Sequence, residues 1–225
     1  IILPNYNERE NILLLVNSIK HYLKKIDNEI IIIDDNSPDK TASVCINKFI
    51  NDKSVKVLAN KKRIGFSESI YKGISNSKKK IIVVMDTDFT HDPVLIPKMI
   101  RLIKEYDLVS GSRYCAGGYM EDQIHSYASF FYNLLLKLIL KTQVQDNLGG
   151  YFCITKKALN KLPNKKIFYG YGEYFFRLLF FAIKKNYSIL KIPAIYKKRK
   201  KGKSKSKFIY MFYKYFIEAL KLRLK

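Results

Sequence analysis

Between residues 81 and 92 the chain reads Ile-Ile-Val-Val-Met-Asp-Thr-Asp-Phe-Thr-His-Asp. Its first five residues are apolar and mostly β-branched. Such a run predicts a strand buried on both faces, as in parallel sheets covered by helices on each side. The run ends in Asp86 and Asp88, one residue apart. At the carboxyl end of such a strand, two acids face the crevice where open α/β sheets bind ligands. Their oxygens suit a hard divalent cation, Mg²⁺ or Mn²⁺, which keeps coordination places for phosphate oxygens. A strand ending in a polar turn, with Asp92-Pro93 opening the next helix, would leave the same residues, so the rest of the chain must decide.

The rest of the first half repeats the pattern. Ile1-Ile2-Leu3 reads as the end of a strand, broken by Pro4-Asn5-Tyr6-Asn7. Asn7 and Glu10 have the spacing of a capping box, and Ile12, Leu15, Val16, Ile19, Leu23 and Ile26 keep helical spacing. Glu29 to Ile33 is a second strand, closed by Asp34-Asp35-Asn36-Ser37-Pro38-Asp39, and a helix follows with Val44, Cys45 and Phe49 inward. Val55 to Leu58 and Leu108 to Ser110 read as further strands, Gly65 to Ser77 and Pro93 to Lys104 as helices. Strands alternating with helices predict a parallel, doubly wound sheet. Neither Gly-x-Gly-x-x-Gly nor a phosphate-loop Gly-Lys-Ser/Thr occurs, so the two commonest nucleotide grips are absent.

After Gly117-Gly118 the texture changes. Residues 130–140 and 174–183 are apolar helical runs that fit either an ordinary core or a bed for a lipid tail. Asp146-Asn147-Leu148-Gly149-Gly150 is a loop, followed by a short strand through Ile154. Residues 197–207 carry eight Lys/Arg in eleven positions, and in 208–225 the charges Lys214, Glu218, Lys221 and Lys225 fall on one stripe of an otherwise largely apolar helix. An amphipathic helix beside a basic cluster suits an anionic membrane surface, or it packs on the domain. The charge is lopsided in the same sense. Residues 1–113 hold 19 Lys/Arg against 14 Asp/Glu, a net +5, whereas 114–225 hold 23 against 5, a net +18. The second half therefore faces something anionic: nucleic acid, lipid headgroups or a phosphorylated substrate.

Cys45, Cys115 and Cys153 are odd in number and fit neither a metal knuckle nor a disulfide framework, which points to a reducing compartment. No signal peptide is visible, and no uncharged run reaches the ~18–20 residues of a membrane span. The chain opens without Met partway through a strand, so residues are expected before Ile1.

Five stretches together carry a resemblance: Leu3-Pro4-Asn5-Tyr6-Asn7-Glu8, Ile33-Asp34-Asp35-Asn36-Ser37-Pro38-Asp39-Lys40-Thr41, Met85-Asp86-Thr87-Asp88, Gly111-Ser112-Arg113-Tyr114, and Arg199-x-x-Gly202-x-Ser204-Lys205. In order and spacing the chain resembles the inverting glycosyltransferases of family 2, which have the GT-A fold, and among them the polyprenyl-phosphate (dolichol-phosphate) mannose synthases. The resemblance implies an α/β fold: a mostly parallel, Rossmann-like sheet flanked by helices, with C-terminal amphipathic, membrane-facing helices. It divides the chain into a GT-A domain, 1–196, and a basic loop with an interface helix, 197–225. Within the domain, 1–113 is the nucleotide-sugar and metal half and 114–196 the acceptor half.

The resemblance also implies roles. Pro4, Tyr6 and Glu8 border the nucleotide, and Asp35 matches the family's nucleotide-binding acid. Asp86 and Asp88 match the metal motif, Asp88 ligating directly and Asp86 ligating or bonding the sugar. Arg113 meets the acceptor phosphate, where a guanidinium fork can bond two oxygens at once. Asp146 shapes the acceptor site, and Arg199, Ser204 and Lys205 help hold phosphate and close the site. Asp86, Asp88 and Arg113 are the catalytic candidates. There are departures. Thr90 stands where the family often has a Gln ligand, Arg63 where it often has Lys, and His125 or Tyr127 where it has a further basic residue. Glu173 is early for the Glu common in its helix. The implied activity is metal-dependent transfer of a hexose, with GDP-mannose favoured as donor, to a polyprenyl or dolichyl phosphate at the cytoplasmic face of a membrane. Another donor such as UDP-glucose, or a non-lipid acceptor, is the alternative. A basic nucleic-acid binder is the remote one; charge and 17 Tyr permit it, but no recognised nucleic-acid motif appears.

Overall fold

The structure, a computed structural model, describes residues 1–198 and 208–224. Arg199, Ser204 and Lys205 lie outside the described residues. In chain order the strands of the main sheet are β1 (Ile2–Asn5), β2 (Ile30–Asp34), β3 (Val55–Ala59), β4 (Ile81–Val84), β5 (Leu108–Ser112), β7 (Phe152–Thr155) and β8 (Ile189–Pro193). They form a seven-stranded sheet in the order β3-β2-β1-β4-β7-β5-β8. Its pairs are parallel except that β7 runs antiparallel between β4 and β5. A two-stranded ribbon, β6 (Tyr119–Met120) with β9 (Ile195–Tyr196), sits beside it.

The period-2 alternation of strand side chains divides the interior into two cores. Leu3, Ile30, Ile32, Val83, Val109 and Cys153 point into one, closed by α1 (Arg9–Leu23), α2 (Thr41–Phe49) and α4 (Ile96–Leu102). Ile2, Ile31, Ile33, Ile82, Val84 and Ile154 point into the other, against α3 (Phe66–Asn76) and α8 (Glu173–Lys184). This is why β2 reads as four consecutive isoleucines, all buried. Gly73 lets α3 lie close, since a Cβ there would stand 2.5 Å from Ile33 Cδ1 and 2.8 Å from Ile2 Cγ2.

A third cluster joins α5 (Gln123–Leu140), α8 and α9 (Phe208–Arg223) through Tyr132, Leu136, Phe176, Phe180, Tyr215 and Ala219. Short helices α6 (Lys156–Asn160) and α7 (Asn164–Ile167) follow β7. The apolar run at 174–183 is mostly core, with Phe175, Phe176, Leu178 and Leu179 buried. The charged stripe of α9 turns partly inward. Lys214 pairs with buried Glu173 at 3.1 Å, and Glu218 with buried Arg177 at 3.1 Å.

Two local expectations fail. Asn7 does not cap α1. It adopts a left-handed φ of 56°, the helix starts at Arg9, and Glu8 instead accepts from the Asn11 side-chain amide at 2.7 Å. The helix expected over 93–104 is broken: Pro93–Leu95 is a 3₁₀ turn and α4 ends at Leu102. Pro97 has no N–H to return to the Pro93 carbonyl, so the first turn tightens to i→i+3 bonding.

Candidate active site

Strands β1, β2, β4 and β5 run in one direction and end at one edge of the sheet. A cleft of about 910 Å³ opens there. Pro4, Tyr6, Glu8, Asp35, Asp86, Asp88 and Arg113 all line it, so the sequence candidates from four separate stretches converge. Asp146 is the exception. It is fully buried, and its carboxylate is spent on Arg113: the backbone N–H and Nε donate to Oδ2, both at 2.9 Å, and Nη2 donates to Oδ1 at 2.6 Å. Asp146 therefore orients the arginine and does not line the cleft. Burial works against the Arg113 charge, but the Asp146 ion pair and hydrogen bonds outweigh it and keep the guanidinium protonated. Tyr196 and Tyr114 flank its carbon at 4.8 and 5.2 Å. A guanidinium has five N–H donors. With Nε and one Nη2 N–H on Asp146 and Nη1 3.8 Å from the Met120 sulfur, a weak acceptor, the remaining Nη1 and Nη2 N–H groups are the donors left for an anion.

Asp35 is similarly committed. Its Oδ1 accepts from the Asn60 amide at 3.0 Å and the Ile64 N–H at 2.7 Å, and its Oδ2 from the Gly65 N–H at 3.0 Å. It thereby shapes the turn into α3. Arg63, on the same turn, lies 4.0 Å over the Tyr6 ring. Both residues line the cleft.

Hydrogen bonds within the loop after β4, and from it to β1, fix the segment that carries the two acids. Thr87 donates to the Pro4 carbonyl at 3.4 Å, and Thr90 donates to Asp88 Oδ1 through its N–H at 3.0 Å and its hydroxyl at 2.6 Å. Thr90, where a third metal ligand was in question, thus braces Asp88. Phe89 between them has φ 68°, a left-handed conformation that costs a bulky residue roughly 1–3 kcal/mol and persists where surroundings over-determine it.

His91 follows in the same loop, where the sequence alone assigns it no role. It is buried, and its Nδ1 accepts the Asp86 N–H at 2.9 Å. The ring proton therefore sits on Nε2, which donates to the Gly149 carbonyl at 3.1 Å. The ring stacks on Tyr151 at 4.8 Å. Burial pushes its pKa down from 6.5 to about 4, so the imidazole is neutral at physiological pH. A lone histidine five residues after the first acid was its only sequence signal.

Among the described residues no group of three or more His, Cys, Asp or Glu could by itself hold a metal ion. Two carboxylates at the cleft wall fit Mg²⁺ or Mn²⁺ completed by water and substrate phosphate, the usual arrangement for these ions.

The acidic pair and the buried arginine thus gather at the strand ends of an open α/β sheet, the crevice where such sheets bind their ligands. The chain belongs to glycosyl transferase family 2, whose model matches residues 1–163. It is 31% identical over 218 residues to a dolichol-phosphate mannosyltransferase of Pyrococcus furiosus, covering 92% of this chain and 58% of that protein, so it spans little more than half of that relative's length. It is 26% identical over 214 residues to a polyprenol monophosphomannose synthase of Mycolicibacterium smegmatis, covering 91% of this chain and 79% of that protein. In fold it is similar to glucosyl-3-phosphoglycerate synthase from Mycobacterium tuberculosis in complex with Mn²⁺, uridine diphosphate and glucosyl-3-phosphoglycerate. That match has a TM-score of 0.74 at 18% identity and covers 98% of this chain and 77% of that one.

Proposed function

We propose that the protein transfers a hexose from a nucleotide sugar to a polyprenyl or dolichyl phosphate, with inversion at the anomeric carbon. GDP-mannose is the favoured donor, in keeping with the relatives' names. One observation carries the reading: Arg113, held charged by Asp146, lines the same cleft as Asp86 and Asp88.

A phosphate monoester has a second pKa near 6 (roughly), so the acceptor oxygen is largely ionised at neutral pH and needs no strong general base. In one displacement that oxygen forms the new bond to the anomeric carbon. The bond to the donor diphosphate breaks, and the nucleoside diphosphate leaves with the electron pair. Arg113 supplies alignment and charge for the attacking phosphate through its open edge. Arg199, Ser204 and Lys205 are assigned to the same phosphate. Tyr6, with Pro4, Glu8 and Asp35, borders the nucleotide. A divalent cation on Asp86 and Asp88 would neutralise charge on the leaving diphosphate.

The acceptor implies a membrane surface. No helix among the described residues is long and apolar enough to cross a membrane. Yet α5 exposes Tyr127, Phe130, Phe131, Leu134 and Leu138, and α9 exposes Phe212, Tyr213 and Leu220. These faces, on the half bearing net +18, suit a peripheral position on the anionic, cytoplasmic side of a bilayer. The decisive experiment incubates the protein with radiolabelled nucleotide sugars and a short polyprenyl phosphate, with and without Mn²⁺, alongside 3-phosphoglycerate as a non-lipid acceptor. Label in the lipid phosphate is expected. Label in 3-phosphoglycerate alone would overturn the lipid acceptor.

A further inference from the structure

Asn133 lies in the middle of α5, on the side away from Leu134 and Leu138, and is 2% exposed. A leucine would fill such a position with less desolvation cost, so the amide needs a reason. Its Nδ2 donates to the Ser129 carbonyl at 2.8 Å, and its Oδ1 accepts the backbone N–H of Asn147 at 2.6 Å. Asn147 is itself fully buried. Its amide donates to the Val144 carbonyl at 2.9 Å and accepts from the Thr142 hydroxyl at 3.2 Å. The residue before Asn147 is Asp146, which grips Arg113 through three hydrogen bonds.

We infer that Asn133 is a positioning residue for the acceptor phosphate: by fixing the Asn147 backbone it sets Asp146, and Asp146 sets the Arg113 guanidinium. The inference about substrate rests on the transferase reading, whereas the chain of contacts does not. The consequence is physical. The helix that exposes an apolar face on its outer side holds, on its inner side, the loop that aims the cleft's buried cation. A tilt of α5 would therefore be felt at Arg113 through the Asn133–Asn147 hydrogen bond and the Asp146–Arg113 ion pair. Displacements of about 1 Å in a positioned group can cost a hundredfold in rate.

The test has two arms. The first follows exchange of the Arg113 Nε–H by NMR. This proton is bonded to buried Asp146 and should be protected in the wild type. Asn133→Ala should lose that protection with the far-UV circular dichroism unchanged. Asn133→Asp keeps the acceptor oxygen for the Asn147 N–H but loses the donor to the Ser129 carbonyl, so it should retain more of the protection than Asn133→Ala. The second arm measures KM for a short polyprenyl phosphate and for the nucleotide sugar. Asn133→Ala should raise the first by about tenfold or more and leave the second within about twofold, and it should add nothing in an Arg113→Lys background. If Asn133→Ala does not fold, Thr142→Val carries both arms, with smaller changes of the same sign. Retained Nε–H protection, or equal rises in both KM values, overturns the inference. Lost protection in a protein that transfers no sugar would leave the positioning role standing and remove the transferase reading.

Discussion

His91 and Asp86 hold each other through the main chain: the imidazole accepts the aspartate's own N–H at 2.9 Å, which a doubly protonated ring cannot do. Between pH of about 6.5 and about 4 the unfolded chain binds a proton at His91 that the folded chain refuses. The stabilisation is therefore whole above about 6.5 and is lost as pH falls toward about 4. At most about 3 kcal/mol is at stake. Urea unfolding of the metal-free protein from neutral to acid pH should show this slope, and His91→Gln should flatten it. Parallel curves for the two proteins would contradict the buried, neutral assignment.

Asp146→Asn removes the counter-charge of Arg113 and leaves the guanidinium in a buried site. Breaking such a pair costs about 3–5 kcal/mol. Reduced stability should accompany loss of acceptor binding. The donor side should be spared, because Asp146 does not line the cleft. Calorimetric titration with nucleotide sugar in the folded variant checks this.

Asp88→Asn keeps an acceptor for Thr90 while removing one negative charge. Folding should be unaffected. Under the proposed mechanism, sugar transfer should fall by roughly 100-fold or more, since a cation at a developing anion is worth several kcal/mol. Binding of Mn²⁺ measured by electron paramagnetic resonance should weaken in parallel. Wild-type turnover in this variant would remove the metal from the mechanism.

Phe131 and Leu138 are each 67% exposed, so charging them should cost little stability. The double variant Phe131→Glu, Leu138→Glu should lose co-sedimentation with anionic vesicles yet retain nucleotide binding. Undiminished vesicle binding would place the membrane contact elsewhere.

Much of the first half of the fold was legible because β2 and β4 are apolar runs that lead into acids, endings that drew attention to Asp35, Asp86 and Asp88, whereas Arg113 was marked by the family resemblance. The second half was harder to read. β8, with half-buried residues and Pro193 at its end, lacks the continuous apolar signature, and β9 is only two residues long. Nothing in Phe152–Thr155 announces that β7 reverses direction, because strand polarity depends on where the chain enters the sheet. His91, Asn133 and Asn147 were invisible as a set, since the contacts that join α5 and the loop after β4 to residues 147–149 form only on folding. Asp146 was noticed, but its partner depends on a close approach across 33 residues that only tertiary packing reveals.

The reversed strand has a geometric consequence. With β7 wedged between them, β4 and β5 stand two inter-strand spacings apart, about 9–10 Å. The acids that follow β4 and the arginine that follows β5 therefore enter the cleft from either side of the intervening strand. The loop that leads into β7 brings Gly149 and Gly150 to the cleft wall, where they add almost no side-chain bulk.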